Sequence, residues 1–281
     1  MGSTFQEVHL KNRFKEYFQT NATTLKFKAN TPKQAIPKRN LKSMTEKTVI
    51  AIEDLSFSWT TKQSIGSKKR NPIKPILDIP QWKIRPGQSI FLYGQSGSGK
   101  STLLNLISGI LQPQQGTITI GEQTISDIKP SQRDCFRAKN LGIIFQQFNL
   151  IPYLSVTDNI RLSQNFSGAE YNHQRLLDLT KRLGLSENIL QQKANHLSVG
   201  QQQRVAVIRA LYHRPKLIIA DEPTSALDAE TRDEFIQLLL EQNTEENNKE
   251  KSSILFVSHD KSLASHFDQQ IDINDLNKAK G

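Results

Sequence analysis

The stretch Ser89-Ile-Phe-Leu-Tyr-Gly94-Gln-Ser-Gly-Ser-Gly-Lys-Ser101-Thr102 decides the reading of this chain. A short apolar run enters a glycine-rich turn. A helical pattern then follows, with Leu103, Leu104, Ile107 and Leu111 on one face, and predicts a helix over 100–111. The turn fits G-x-x-x-x-G-K-[ST] in its required strand–loop–helix setting. Gly94, Gly97 and Gly99 let the backbone fold tightly, so that N–H groups of Gln95, Ser96 and Ser98 can point at phosphate oxygens. The helix that opens at Lys100 adds its positive dipole end. The Lys100 ammonium suits β- and γ-phosphates and the Ser101 hydroxyl suits Mg²⁺, with Thr102 beside it in the first turn. Binding of ATP with Mg²⁺ is therefore expected.

A phosphate loop alone does not imply hydrolysis. The run Lys216-Leu-Ile-Ile-Ala-Asp-Glu222 supplies a second half: an apolar strand ending in two acids where it would meet the loop. Asp221 is expected to hold the metal, directly or through water. Glu222 is expected to orient or deprotonate the attacking water.

Working outward, short apolar runs alternate with helical patterns from Val49 onward, the signature of an α/β domain. Strands are expected at Ser89–Tyr93, Thr117–Ile120, Gly142–Phe145, Leu217–Ala220 and Ile254–Val257, with another run at Thr48–Glu53. Further helices are expected at Gln174–Leu183, Gly200–His213 and Ala229–Glu241. No strand is evident between Phe148 and Leu197. The expected fold is thus α/β, a P-loop NTPase core with a mixed sheet and an inserted α-helical subdomain at about 148–200, within a domain spanning 44–281. Residues 1–43 read as a basic, flexible extension, with Leu10, Phe14, Tyr17 and Phe18 on a shared helical face. Met44 offers an alternative start for the domain.

The net charge of +10 is concentrated in two places. Residues 1–43 hold nine Lys/Arg against two acids, and residues 62–74 hold five with no acid, so the remainder is slightly acidic. A charge argument for nucleic-acid binding therefore does not extend to the core, and the basic loop reads first as solvated chain. No stretch approaches the about 18–20 apolar residues of a membrane span. The N-terminus lacks the apolar centre of a secretory signal, so a cytosolic protein is expected. The one cysteine, Cys135, reads as a small packed side chain.

Three further elements narrow the class. Leu197-Ser-Val-Gly-Gln-Gln-Gln-Arg204 precedes a helix just ahead of the acidic strand. Gln146 follows one predicted strand, and His259 with Asp260 follows another. With these in order, the chain over roughly 49–275 resembles the nucleotide-binding domain of ATP-binding-cassette (ABC) transporters. Phe145-Gln-Gln-Phe-Asn-Leu-Ile-Pro-Tyr-Leu-Ser-Val-Thr-Asp-Asn-Ile160 is most similar to the lipoprotein-releasing and macrolide-export branch.

The resemblance implies a role for each motif. Trp59 would stack on adenine, an alternative to simple core packing. Gln146 would sense Mg²⁺ and the water beside the permease groove. Ser198, Gly200 and Gln201 would face the γ-phosphate held by a second subunit, and Ser225–Asp228 would communicate across that dimer. His259 would contact the γ-phosphate. The expected partners are a second copy, in a head-to-tail nucleotide sandwich, and a separate permease with a periplasmic region. The chain would then lie on the cytoplasmic face of the inner membrane. No specific nucleic-acid partner is expected: the long coiled coil of chromosome-maintenance relatives is missing, and there is one cassette. The family pattern Leu-Ser-Gly-Gly-Gln departs here at Val199, whose β-branched side chain excludes φ > 0 and adds bulk. That departure predicts a competent signature with altered packing or turnover.

Overall fold

The computed structural model describes residues 47–59, 74–167, 170–225, 227, 229–244 and 252–279. The predicted extension over 1–43, nearly all of the basic loop and Asp228 lie outside the described residues.

The described residues open with β1 (Ile50–Phe57) and β2 (Leu77–Ile84), which pair antiparallel. β3 (Ser89–Tyr93) enters the phosphate loop and α1 (Lys100–Ile107) leaves it. β4 (Gln115–Ile120) and the two-residue β5 (Gln123–Thr124) complete an antiparallel sheet of order β2-β1-β4-β5. Then come α2 (Pro130–Asn140), β6 (Leu141–Ile144), α3 (Val156–Ser167), α4 (His173–Arg182) and α5 (Val199–Leu211). Two 3₁₀ turns, Glu187–Gln191 and Ala194–His196, lead into α5. The chain closes with β7 (Leu217–Asp221), α6 (Ala229–Thr244), β8 (Ser253–Val257), β9 (Gln269–Asp272) and the single turn α7 (Ile273–Leu276).

β6, β7, β8, β3 and β9 lie side by side, in that order, in a five-stranded parallel sheet. The polar β9 forms one edge, and the four strands β6, β7, β8 and β3 are apolar on both faces, as a sheet buried on both sides requires. Alternation along them sorts the side chains into two cores. Ile90, Leu92, Leu217, Ile219, Leu255 and Val257 join α1 and the antiparallel sheet. Phe91, Ile218, Ala220, Ile254 and Phe256 face α5 and α6. On that second face Phe91, Phe256 and Phe267 cluster with ring centroids 5.0–6.2 Å apart. Such tilted and offset pairs add about 0.5–1.5 kcal/mol each beyond area burial.

Two expectations need correction. The α1 helix stops at Ile107, although the apolar pattern continues to Leu111. Gly109 adopts φ 69°, and the Leu111 N–H turns back to the Asn105 carbonyl at 2.9 Å. That reversal is a glycine-dependent helix end, which side-chain periodicity cannot register. Cys135 is exposed and not packed. It lies on α2 two residues after the buried Arg133, about 200° around the helix, and so faces outward.

Candidate active site

The sheet order brings the expected site residues to one edge. β8 lies between β3 and β7, and β6 flanks β7, all parallel. The phosphate loop after β3, His259 after β8, Asp221–Glu222 at the end of β7 and Gln146 after β6 therefore emerge side by side at the strands' C-terminal ends. Ligands of open α/β sheets bind at that edge. Two backbone bonds hold the strand exits together. The Glu222 N–H donates to the Val257 carbonyl at 2.9 Å, and the Ser258 N–H to the Leu92 carbonyl at 3.3 Å.

The loop is shaped for an anion. The α1 cap is Gly99, which has no side chain to bond the helix's first N–H groups, and the first turn contains no acid. Those donors therefore face the loop interior without a protein partner at the cap. Lys100 is buried, and its ammonium donates to the carbonyls of Gly94 at 2.8 Å and Gln95 at 3.0 Å. The Ser98 hydroxyl is buried within the same turn without a hydrogen-bond partner. Gln95, Ser96, Gly97 and Ser101 are exposed along the open side.

The acidic pair has two distinct environments. Asp221 accepts a hydrogen bond from the Ser101 hydroxyl. Burial, and then the Glu222 carboxylate, push the Asp221 carboxyl above its ordinary range, against the opposing pull of Lys100 and Ser101. Glu222 sits at φ 44°, a left-handed conformation that costs a non-glycine residue about 1 kcal/mol or more. In this conformation its carboxylate stands 3.4 Å from Nδ1 of the exposed His259.

Such geometry matches what comparison with known proteins shows. The ABC transporter family profile matches residues 77–225. This chain belongs to that family. An uncharacterised ABC transporter ATP-binding protein of Mycobacterium tuberculosis is 37% identical over 82% of this chain and 88% of its own length. The macrolide export ATP-binding/permease protein MacB of Syntrophobacter fumaroxidans is 38% identical over 68% of this chain, which spans 26% of that longer protein. Among solved structures, a dimeric ATP-binding cassette of Methanocaldococcus jannaschii, in a post-hydrolysis state bound to ADP and Pi, aligns with a TM-score of 0.66. It is 31% identical over 82% of this chain and 95% of that one. The chain is thus an ABC-type ATPase cassette of α/β fold, similar to the export branch that its sequence resembles. Among the described residues no helix is long and apolar enough to cross a membrane.

The cassette's remaining motifs occupy separate places. Ser198 caps α5 in a reciprocal box: the Gln201 N–H donates to the Ser198 hydroxyl at 3.2 Å, and the Ser198 N–H to the Gln201 side chain at 3.0 Å. Val199 is the first helical residue, is not at positive φ and is 55% exposed. The anticipated backbone conflict at this position therefore does not arise; only the bulk of the side chain differs from glycine. A side chain at Gly200 would meet open space. Trp59 is half-buried and packs edge-on against Phe57, with ring centroids 5.2 Å apart. Gln146 is exposed at the start of a turn.

Sequence reading missed the bracing around His259. Arg232 of α6 donates to the Asp260 carboxylate, which also accepts from the Ser262 N–H at 3.0 Å and hydroxyl at 2.7 Å. The Ser262 bonds, with smaller contributions from Arg232 and His259, hold the Asp260 carboxyl below its ordinary range. The next residue, Lys261, places its ammonium 4.3 Å from the centre of the Tyr93 ring, on the strand that feeds the phosphate loop. No local sequence pattern links Arg232 to Asp260, 28 residues away.

Proposed function

We propose that this cassette energises a transporter: two copies close head to tail over two ATP molecules, and closure moves a separate integral membrane permease with a periplasmic region. The observation that carries the reading is the convergence of Lys100, Asp221, Glu222 and His259 on one sheet edge. The printed description of MacB as an ATP-binding/permease protein supports a membrane partner. The cassette would then sit against the cytoplasmic face of the inner membrane. In this reading 44–281 is the cassette, about 148–200 is its helical subdomain, and 1–43 is an appended basic extension.

In this reading each residue has a role, those of Trp59, Gln146, His259 and the signature residues being what the family resemblance implies. Lys100 exchanges the Gly94 and Gln95 carbonyls for β- and γ-phosphate oxygens, while the uncapped turn of α1 and the Ser98 hydroxyl take the remaining phosphate contacts. Mg²⁺ takes one or two protein oxygens together with phosphates and water, and Asp221 with Ser101 offers such a pair of hard donors. When bound, the ion would neutralise charge on the phosphates. Glu222 receives a proton from, or orients, the attacking water, and His259 stands against both Glu222 and the γ-phosphate. Gln146, in the turn after the adjoining strand, would reach the water and the metal. Trp59 stacks on adenine. Ser198, Gly200 and Gln201 present the N-terminus of α5 to the γ-phosphate of the opposite copy.

Glu222→Gln tests the assignment. It keeps the shape of the site and removes the base, so the variant should bind ATP and sediment as an ATP-trapped dimer, with turnover at least about a hundredfold lower. A variant that turns over at the parental rate would remove Glu222 from the catalytic role.

A further inference from the structure

The turn that carries Gln146 is held by a residue outside every motif named so far. Phe148 and Asn149, two and three residues after Gln146, both adopt left-handed backbones, at φ 54° and 48°. Consecutive non-glycine residues in that region persist only where surroundings enforce them. Beside the turn's own backbone bonds from the Phe148 and Asn149 N–H groups, the Arg209 guanidinium donates from Nη2 to the Phe148 carbonyl at 2.6 Å and from Nη1 to the Asn149 carbonyl at 2.7 Å. A planar fork reaches two successive carbonyls at once; a lysine ammonium on the same stem meets them as a single point. The Phe148 ring is buried in the second core, and Asn159 of α3 fixes the chain farther on by accepting from the Ile151 N–H at 2.7 Å.

Arg209 belongs to α5, the helix whose first turn is the signature Val199–Gln201. It stands eleven residues after Ser198, about 16 Å along the axis. Beside it, α5 touches the strand that leads to Gln146. A Cβ on Gly142 of β6 would lie 2.4 Å from the Ala210 carbonyl oxygen, so only glycine permits this approach. The signature end of α5 and the Gln146 turn are thus fastened to one rod.

We propose that Arg209 is a positioning residue for hydrolysis: by clamping the Phe148 and Asn149 carbonyls it sets Gln146 against the phosphate edge and moves it together with the signature end of α5. The proposal rests on Gln146 belonging to the hydrolysis site. It has no part in nucleotide affinity, because the phosphate loop lies on another element.

A double-mutant cycle on the full chain tests this, with Arg209→Met, Arg209→Lys and Gln146→Ala read by ATPase kinetics and by titration with a fluorescent ATP analogue. Arg209→Met should lower kcat about tenfold or more, Arg209→Lys less, with nucleotide affinity held within about twofold. In the Gln146→Ala background, removing the clamp should lower kcat no further. Losses that multiply across the cycle, or a parallel fall in affinity, would overturn the proposal by showing a general structural role. If Arg209→Met does not fold, Arg209→Lys carries the same cycle. Parental turnover in Gln146→Ala alone would remove Gln146 from the site, and the proposal with it.

Discussion

Two helix N-termini in this cassette are finished in opposite ways. α1 opens behind Gly99, without a capping side chain, over a buried lysine. α5 opens behind Ser198, whose hydroxyl and backbone N–H are both engaged by Gln201. Both ends carry the same partial positive charge. The first leaves all its donors for a ligand, whereas the second commits one of them, the Gln201 N–H, to its own cap and keeps the Val199 and Gly200 N–H groups for an anion. The difference suits a site made of unequal halves. In the proposed dimer one half binds nucleotide within a single chain, and the other engages when another copy brings a phosphate to it.

The strongest way to break the contrast is at the first end. Lys100→Ala removes the side-chain cation that donates to the loop's carbonyls and should weaken ATP binding at least about a hundredfold in calorimetric titration, given about 1.5–3 kcal/mol for each charged hydrogen bond. Unchanged affinity would show that α1 is not the anion-binding end.

Asp221→Asn sharpens the electrostatics of the same half. Hydrolysis should fall by about a hundredfold and no longer respond steeply to Mg²⁺. The nucleotide-free protein should nonetheless melt at a higher temperature. The sign follows from the raised carboxyl pKa. The folded chain holds this proton more tightly than the unfolded chain, so its contribution to stability declines as pH rises from the unfolded value to the folded one. Above the folded value the parent carries the full penalty and the amide carries none. A lower melting temperature would contradict the burial argument.

The smallest change addresses the second end. Val199→Gly restores the common signature at an exposed first-turn residue, where helix propensity costs about 0.5 kcal/mol or less. Melting should drop by about 1–2 °C and turnover should stay within about threefold. A larger change in turnover at constant ATP affinity would place Val199 against the opposing copy in the closed state.

Much of this architecture was legible from residue order. β3, β7 and β8 are apolar runs bounded by turns and motifs, and their calling cards, Gly94, Asp221 and His259, stand at the same end of each. α2 was not expected, because a polar helix that buries only Arg133 leaves almost no apolar period to read. β2 contains Pro80, and β9 is four residues with no fully buried one, so neither resembles an interior strand. Within the site, residue types were legible and tertiary contacts were not. Nothing local pairs Arg232 with Asp260 or Arg209 with the Phe148 carbonyl, since those bonds exist only once α5 and α6 pack on the sheet. The left-handed backbone at Glu222 is equally silent in sequence, because glutamate carries no preference for it.

The central claim is that each active site joins the Lys100 end of one copy to the Ser198 end of another. It is tested most directly by mixing two disabled variants. Lys100→Ala disables the loop. Ser198→Asp keeps α5 capped, since aspartate caps as well as serine, but sets a like charge against the phosphate. Each variant alone should be inactive. In a mixed dimer, one site pairs the intact loop of the second variant with the intact signature of the first, so mixing should restore a measurable share of ATPase activity. A mixture no more active than its separate components, with both variants folded, would contradict the head-to-tail site.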